Sequence, residues 1–136
     1  MDNTWYLQIQ NKVITQIEYM MKKKYPKLIC TTKNENGQPA KFPTLYLHEL
    51  QPVEQGQDLT NETVNAVLST IEIMVWTNTT ETDCRNIIGE TVNQMKLLQF
   101  NVIGMPIVQV NDKVSCGVMR CRRMIGNGDK IIKENE

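Results

Sequence analysis

Apolar residues recur at alternate positions along residues 63–78, TVNAVLSTIEIMVWTN, the longest stretch that reads as one uninterrupted β-strand. Its odd positions Val67, Ile71, Ile73 and Val75 are all apolar. Its even positions mix apolar and polar side chains, namely Leu68, Thr70, Glu72, Met74 and Trp76. Because successive side chains of a strand point to opposite faces, the pattern predicts a central strand. One face is expected to lie buried under a helix, and the other to be buried only in part.

Two segments place apolar residues at helical spacing, about residues 4–24 and about residues 80–98. Asp2 or Asn3 is predicted to cap the first helix and Asn78, Thr79 or Thr80 the second, since short polar side chains accept hydrogen bonds from free amides there. Thr80 and Asp83 stand at capping-box spacing. The predicted buried positions are Trp5, Ile9, Val13, Ile17, Met20 and Met21 in the first helix, and Cys84, Ile87, Ile88, Thr91, Met95 and Leu98 in the second.

Shorter apolar runs predict the remaining strands, at residues 28–31, 44–50, 102–110 and 114–125. The Asn36-Gly37 pair is a strong turn signal and favours a hairpin between the first two of these. In the last strand Cys116, Val118, Arg120, Arg122 and Met124 share one face, while Gly117, Met119, Cys121, Arg123 and Ile125 share the other.

Two features interrupt the predicted strand pattern, one between strands and one within a strand. Residues 51–62, QPVEQGQDLTNE, are polar and predict a loop of about a dozen residues, unusually long for a link between strands. Gly104 and Pro106 predict a break in the strand at 102–110.

The order of these elements predicts an α+β fold. We expect a mixed, mainly antiparallel sheet of four to five strands with both helices packed on one face. The length of 136 residues fits a single domain, predicted to span residues 1–128. The remaining residues, 129–136, are charged and are expected to stay disordered unless they dock on a partner.

The composition argues against several classes of partner and site but does not identify the function. Fifteen basic and fifteen acidic residues give zero formal net charge, which argues against nucleic acid or an anionic membrane as the main partner. No apolar run approaches the roughly 20 residues of a membrane span, and no secretory leader is recognisable. The four cysteines are scattered, and only His48 supplies an imidazole, so buried thiols are favoured over disulfides or a zinc site and no cofactor is expected.

Recognisable enzyme motifs are missing, with no phosphate-binding glycine loop, nucleophile elbow or paired metal-binding histidines. Acidic residues crowd around the long loop at Glu49, Glu54, Asp58 and Glu62. Paired carboxylates can act in acid and base catalysis, but acids in a polar loop are more often simply solvated. His48 has no nucleophile or acid pair beside it in the sequence, so a place on a strand face is favoured over catalysis.

Three arginines, Arg120, Arg122 and Arg123, fall in the last predicted strand. On an edge strand such a cluster can bind phosphate, pair with carboxylates across a subunit interface, or protect the edge from aggregation. Zero net charge favours the second and third alternatives over the first.

Several segments together resemble the tail-terminator or tail-completion proteins of long, non-contractile-tailed phages and prophages. They are KKKYPKL at the end of the first helix, GQPAKFPTLYLHEL, the central strand ending in VWTN, the second helix ending in LLQFNV, and MRCRRMIG in the last strand. Head-completion and minor capsid proteins of similar length share parts of this pattern. Outside this class, a small protein-binding module and an uncharacterised enzyme remain as alternatives.

The resemblance implies a structural protein without catalytic activity that forms a homo-oligomeric ring, expected to be a hexamer, at the head-proximal end of the virion tail. Its implied partners are the major tail tube protein and the head-tail connector proteins, with assembly in the host cytoplasm. A closed ring needs two different complementary patches on each subunit. We predict one at Glu54, Asp58 and Glu62 and the other at Arg120, Arg122 and Arg123.

The partly polar face of the central strand is a further predicted contact surface. Glu72 and Trp76 are expected to face a neighbouring subunit or the lumen of the ring. Trp76 has an alternative place beneath the long loop, because a buried indole needs a partner for its N–H group.

Overall fold

The computed structural model describes residues 3–33, 39 and 41–131, and within these ranges the chain forms an α+β fold. A short 3-10 helix, Trp5–Gln8, leads directly into α1, Ile9–Lys24, and α2 spans Glu81–Leu97. The strands are β1 (Ile29–Thr31), β2 (Thr44–Glu49), β3 (Val53–Gln55), β4 (Ala66–Thr77), β5 (Asn101–Asn111) and β6 (Val114–Gly126).

The described strands form one mixed, mostly antiparallel sheet in the order β1-β2-β4-β6-β5. The predicted central strand is β4, which pairs with β6 along its whole length, from Ala66 opposite Gly126 to Thr77 opposite Ser115. On its other side β4 pairs with β2 near its end and with β3 near its start. The class and the central place of this strand are therefore confirmed, while β3 raises the strand number above the predicted four or five.

One face of the sheet forms the core together with both helices. The four apolar odd positions of β4 are at most 2% exposed, as predicted. They pack with Ile9, Val13, Ile17 and Met21 of α1 and with Cys84, Ile87, Ile88 and Met95 of α2. We call this side the helix face. The sheet packs closely against α2 at Gly117, where an added Cβ would lie 3.3 Å from Cys84 Sγ and 3.3 Å from Ile88 Cβ.

The predicted hairpin between the first two strands is wrong. β1 runs parallel to β2, with Ile29 opposite Thr44 and Thr31 opposite Tyr46. Parallel neighbours need a crossover connection, which a two-residue turn cannot provide. The Asn36-Gly37 pair itself lies outside the described residues.

The long polar segment contains structure of its own. Val53–Gln55 form β3, antiparallel to the start of β4, so the predicted loop of a dozen residues is shorter than expected. The remainder includes a tight turn in which Asp58 accepts hydrogen bonds from the amide of Asn61 at 2.7 Å and from Thr60 Oγ1 at 3.2 Å. Backbone pairing to β4 therefore overrides the polar composition of this segment.

The strand at 102–110 does not break at Gly104 and Pro106. β5 is continuous from Asn101 to Asn111, and two register shifts against β6, between Val102 and Ile107, accommodate these residues as bulges. β6 is consequently an internal strand between β4 and β5. The interpretation of the arginines as protection for an edge strand is therefore wrong, because the edge is β5.

Helix caps follow the prediction at α2 but not at α1. Thr80 Oγ1 accepts a hydrogen bond from the amide of Asp83 at the start of α2. Asn3 instead joins the N-terminal segment to the loop before β4, donating to the carbonyl of Glu62 at 2.9 Å and accepting from the amide of Val64 at 3.0 Å. Asp2 lies outside the described residues.

Residues Asp129–Ile131 fold back onto the domain. The Asp129 side chain accepts a hydrogen bond from the amide of Gly126 at 2.7 Å, and Ile131 is only 7% exposed. Residues 132–136 of the predicted tail lie outside the described part of the chain.

Candidate interaction surface

The face of the sheet opposite the helices carries half-buried and exposed side chains. We call it the open face, and no helix among the described residues packs against it. Cross-strand pairing places its side chains in rows, because directly opposed residues share a face. The rows are Val53, Leu68 and Met124; Thr70, Arg122 and Asn101; His48, Glu72, Arg120 and Gly104; Tyr46, Met74, Val118 and Ile107; and Thr44, Trp76, Cys116 and Gln109.

A charged cluster occupies the middle row. Glu72 Oε1 lies 2.9 Å from His48 Nε2, and Glu72 Oε2 accepts a hydrogen bond from Arg120 Nε at 2.7 Å. The Tyr46 ring stacks on His48 with centroids 5.0 Å apart and an interplanar angle of 16°. β2, β4 and β6 each contribute to the cluster, so its geometry depends on the register of three strands.

The surroundings of Glu72 favour its charged form. Burial by itself raises the pKa of this carboxyl, but the hydrogen bonds with His48 and Arg120 outweigh burial and hold the pKa below its ordinary value. Both carboxylate oxygens are engaged within the chain. The cluster therefore fixes a charged centre on the open face and leaves the apolar side chains around it available for contact.

A shallow cleft of about 330 Å³ adjoins this cluster on the side of β5. Glu72, Arg120, Met105, Ile107 and Val118 line it. Gly104 at its floor lets the strands approach closely, since an added Cβ would lie 3.3 Å from Arg120 Cβ. Mixed apolar and charged lining of this kind suits contact with another protein surface better than enclosure of a small ligand.

Exposed apolar side chains surround the charged centre. Met124 is 58% exposed, Val53 is 56% and Ile107 is 63% exposed. All three belong to the rows of the open face, together with half-buried Leu68 and Met74. Exposed apolar side chains grouped on one face are typical of a protein contact surface, although here the charged pair lies at the centre and not at the rim, where interfaces usually place charge.

The three arginines of β6 do not form one cluster. Arg120 pairs with Glu72 in its own chain, and Arg123 points to the helix face, where it donates to the carbonyls of Leu98 at 3.0 Å and Lys130 at 3.1 Å. Arg122 is exposed on the open face and makes no hydrogen bond or ion pair with the described residues. Of the three, only Arg122 has its guanidinium uncommitted for a second chain.

The acidic residues of the long segment do not meet these arginines within the chain. Asp58 is engaged in its turn, Glu54 is half-buried in β3, and Glu62 is exposed. Val53 and Arg122 lie in neighbouring rows, so β3 and the uncommitted arginine occupy the same end of the sheet. The pairing of the acidic residues with Arg122 between subunits stays a prediction. Because the acidic patch and Arg122 are adjacent, both belong to the same side of a subunit.

Trp76 lies far from the long segment. It is opposite Thr44 and Cys116, whereas β3 pairs with the start of β4 at Ala66 to Leu68. Leu68 and Trp76 are eight positions apart, which is roughly 27 Å of extended chain. The alternative that Trp76 packs under the long loop is therefore wrong, and the half-buried indole belongs to the open face.

The sequence contained both partners of Glu72 but no signal that would join them. His48 was placed correctly on a strand face, yet 24 residues separate it from Glu72 and 48 separate Glu72 from Arg120. A second, half-buried carboxylate, Glu49, was also missed as a structural group. Glu49 accepts a hydrogen bond from Ser69 Oγ at 2.5 Å, while burial raises its pKa.

No group of three or more His, Cys, Asp or Glu side chains among the described residues is arranged to hold a metal ion. The four cysteines are free thiols. Neither α1 nor α2, nor any other helix in the described part of the chain, is long and apolar enough to cross a bilayer.

Comparison with known proteins adds no relative to this picture. No family model matches the chain, and no curated protein matches it.

Proposed function

We propose that this chain is a structural protein of phage tail morphogenesis that assembles with further copies into a ring, a hexamer, at the head-proximal end of the tail tube. In this role it ends tube polymerisation and joins the tail to the head connector. Its partners are the major tail tube protein and the connector proteins, its place is the virion tail after assembly in the host cytoplasm, and no catalytic step is part of the proposal.

The open face of the sheet carries this proposal. A small domain buries most of its large apolar side chains, yet here Val53, Ile107 and Met124 are more than half exposed on one face. The ion pairs at the centre of that face are already satisfied inside the chain. A surface of this kind is suited to a permanent protein partner more than to a soluble substrate.

The order of elements and the five sequence segments that resemble tail terminators give the proposal its specific form. The adjacency of β3 and Arg122 changes one detail of it. We assign both to a single contact surface, and since a head-to-tail ring joins two different surfaces, Arg122 meets a surface of the neighbour other than the one that carries Glu62. Glu54 lies opposite Val67 and so points to the helix face, away from Arg122. The second surface of a head-to-tail ring then lies elsewhere on the subunit.

Sedimentation velocity and negative-stain imaging test the proposal directly. The purified chain is measured alone, with tail tube protein, and with connector protein, because some rings assemble only on their partner. A ring-sized species alone or with tube protein supports the proposal. A ring that forms only with connector protein supports the alternative of a head-completion protein, and a monomer in all three mixtures refutes both.

Two variants show whether the open face makes the contacts. Met124→Lys places a charge among its apolar rows and should abolish the ring. Leu97→Lys makes the same kind of change at a side chain of α2 that is 64% exposed and should leave the ring intact. Charge reversal at Arg122 should weaken assembly, and an intact ring in that variant would remove Arg122 from the contact.

A further inference from the structure

The turn formed by residues 58–61, between β3 and β4, displays an apolar side chain at its tip. The relative exposure of Leu59 is 107%, the highest among the exposed large apolar side chains of the described residues. The turn is held by the amide of Asn61, which donates to Asp58 Oδ1 at 2.7 Å and lies 3.1 Å from the Asp58 carbonyl oxygen. A single exposed leucine is ordinary on a protein surface. Leu59 becomes informative only if the chain also carries a cleft that fits it.

Such a cleft lies between the end of α1 and the first turns of α2, and we call it the α1–α2 cleft. Its volume is about 420 Å³, and its apolar lining is Tyr25, Pro26, Leu28, Pro43 and Ile87. A closed cavity of about 150 Å³ already holds benzene, so the α1–α2 cleft has room for the smaller side chain of a leucine and part of the turn beside it.

The turn and the cleft are at opposite ends of the central strand. β3, which leads into the turn, pairs with Ala66–Leu68 at the start of β4, whereas Thr77 and Asn78 at the other end line the cleft. Ala66 and Thr77 are eleven positions apart, which is roughly 36 Å of extended chain. The cleft is therefore out of reach of Leu59 of the same chain. Two different surfaces at opposite ends of a subunit are what head-to-tail assembly requires.

The charges around the turn and the cleft are complementary. Residues 51–65 contain three acidic and no basic side chains, and Asp58 and Glu62 flank the tip of the turn. Lys24 and Lys27 line the cleft, and both are exposed. An acidic turn with an apolar tip thus matches an apolar cleft with a basic rim.

Two acidic residues near the cleft leave this match in place. Asp83 also lines the cleft, but its carboxylate accepts a hydrogen bond from Thr79 Oγ1 at 2.6 Å and lies in the first turn of α2, where the helix dipole favours negative charge. Glu90 pairs with Lys24 at 3.5 Å. Lys27 makes no ion pair with the described residues, so its charge is available to a second chain.

We infer that Leu59 of one copy of this chain inserts into the α1–α2 cleft of the next copy, with Asp58 and Glu62 placed against Lys24 and Lys27. An apolar side chain in a pocket with a polar rim is the usual composition of the centre of a protein interface. The inference rests on the proposed function, because it specifies the second surface by which copies join head to tail in the proposed ring.

Two variants disable the two surfaces separately. Leu59→Asp removes the apolar tip of the turn, and Asn86→Trp fills the cleft from an exposed position of α2. Each should raise the dissociation constant of self-association, measured by sedimentation velocity, roughly tenfold or more, because a leucine side chain is no longer buried. Leu97→Asp and Asn93→Trp make the same changes at exposed positions of α2 outside the cleft and should leave the constant unchanged.

Mixing the two variants tests whether the contact is head to tail. The Leu59→Asp chain keeps an intact cleft, and the Asn86→Trp chain keeps an intact turn. An equimolar mixture should therefore give a heterodimer and no larger species in native mass spectrometry, because one turn meets one cleft and no further chain can be added. A mixture that stays monomeric, or that assembles as far as the unsubstituted chain, would overturn the inference.

The remaining outcomes separate this contact from the proposed function. A ring that survives both Leu59→Asp and Asn86→Trp removes the contact and leaves the proposed function standing. Open head-to-tail chains that never close, and that are lost in Leu59→Asp, support the contact and refute the ring. An unsubstituted chain that stays monomeric with and without tail tube protein refutes both. Binding to tube protein that depends on Leu59, without any contact between copies, would assign the turn to that protein and overturn the inference.

Discussion

Replacing Glu72 with glutamine removes the negative charge at the centre of the open face while keeping the volume of the side chain. The Glu72 side chain is 10% exposed and accepts hydrogen bonds from two donors, His48 and Arg120. Glutamine keeps one carbonyl oxygen, so its amide group must face one of the former donors. The substitution therefore tests whether the cluster contributes to the stability of the fold.

The expected loss of unfolding free energy follows from how far each hydrogen-bond partner of Glu72 is exposed to solvent. A hydrogen bond to a charged group contributes about 1.5–3 kcal/mol when shielded from water. The Arg120 side chain is 54% exposed, and solvent screening reduces its share to roughly 0.5–1 kcal/mol. His48 is better shielded, at 28% exposure. With one of the two bonds retained, we expect Glu72→Gln to lower the free energy of unfolding by about 1–2 kcal/mol at neutral pH.

The pH dependence supplies an independent check. The pKa of folded Glu72 lies below its ordinary value of 4.5, so its contribution to stability is present above that value. The contribution is lost as pH falls through the lower folded pKa, because the carboxyl group then takes up a proton in both states. The difference between Glu72→Gln and the unsubstituted chain should consequently shrink in acid.

Urea denaturation followed by circular dichroism, at neutral pH and again below the ordinary carboxyl pKa, measures both quantities. Glu62→Gln makes the same chemical change at an exposed carboxylate and serves as the control. A loss for Glu72→Gln within about 0.5 kcal/mol, the range of ordinary surface substitutions, would refute the stabilising role of the cluster. The same role would also be refuted if the loss of stability were equally large in acid.

Three further predictions concern the helix face. Gly117→Ala should destabilise the fold by about 1–3 kcal/mol in urea denaturation, because the new Cβ meets Cys84 Sγ at 3.3 Å. Gly89→Ala in α2 meets nothing within 4 Å and should stabilise the fold by about 0.5–1 kcal/mol. Equal effects of the two substitutions would contradict the close packing at Gly117. Burial raises the pKa of Glu49, so its contribution to stability is present below the ordinary carboxyl pKa and is lost as pH rises through the folded pKa. Glu49→Gln should therefore lack that gain on acidification, and an unaltered pH profile would count against it. Burial also raises the pKa of the Cys121 thiol to about 12, so iodoacetamide should label it only after unfolding, and equal rates in the folded and urea-unfolded protein would disprove this.

Elements set by local patterns could be predicted from the sequence. The buried face of β4 follows from the apolar side chains at the odd positions Val67, Ile71 and Val75, and the start of α2 follows from Thr80. These features depend on residues within a few positions of each other. Their backbone geometry converts spacing directly into a shared face or a cap.

Pairing between distant segments could not be predicted in the same way. Asn36-Gly37 signalled a hairpin, yet β1 lies parallel to β2, and the twelve residues 32–43 between them are long enough for the crossover that parallel strands need. The polar composition of residues 51–62 concealed β3, which is held by backbone hydrogen bonds that do not depend on side-chain type. The partners of Glu72 depend on the registers of three strands, and a single sequence carries no direct record of register.

The antiparallel pairing of β4 with β6 also has a consequence for how fast the chain folds. Its register closes a segment of about 40 residues at Thr77 and Ser115 and of about 60 residues at Ala66 and Gly126. The entropic cost of loop closure differs by only roughly 0.4 kcal/mol between the two ends, but α2 bridges the shorter one and reduces it further. We expect the pair to form first beside α2 and then to extend toward Gly126, with non-local contacts making folding slower than in a helical protein of similar length.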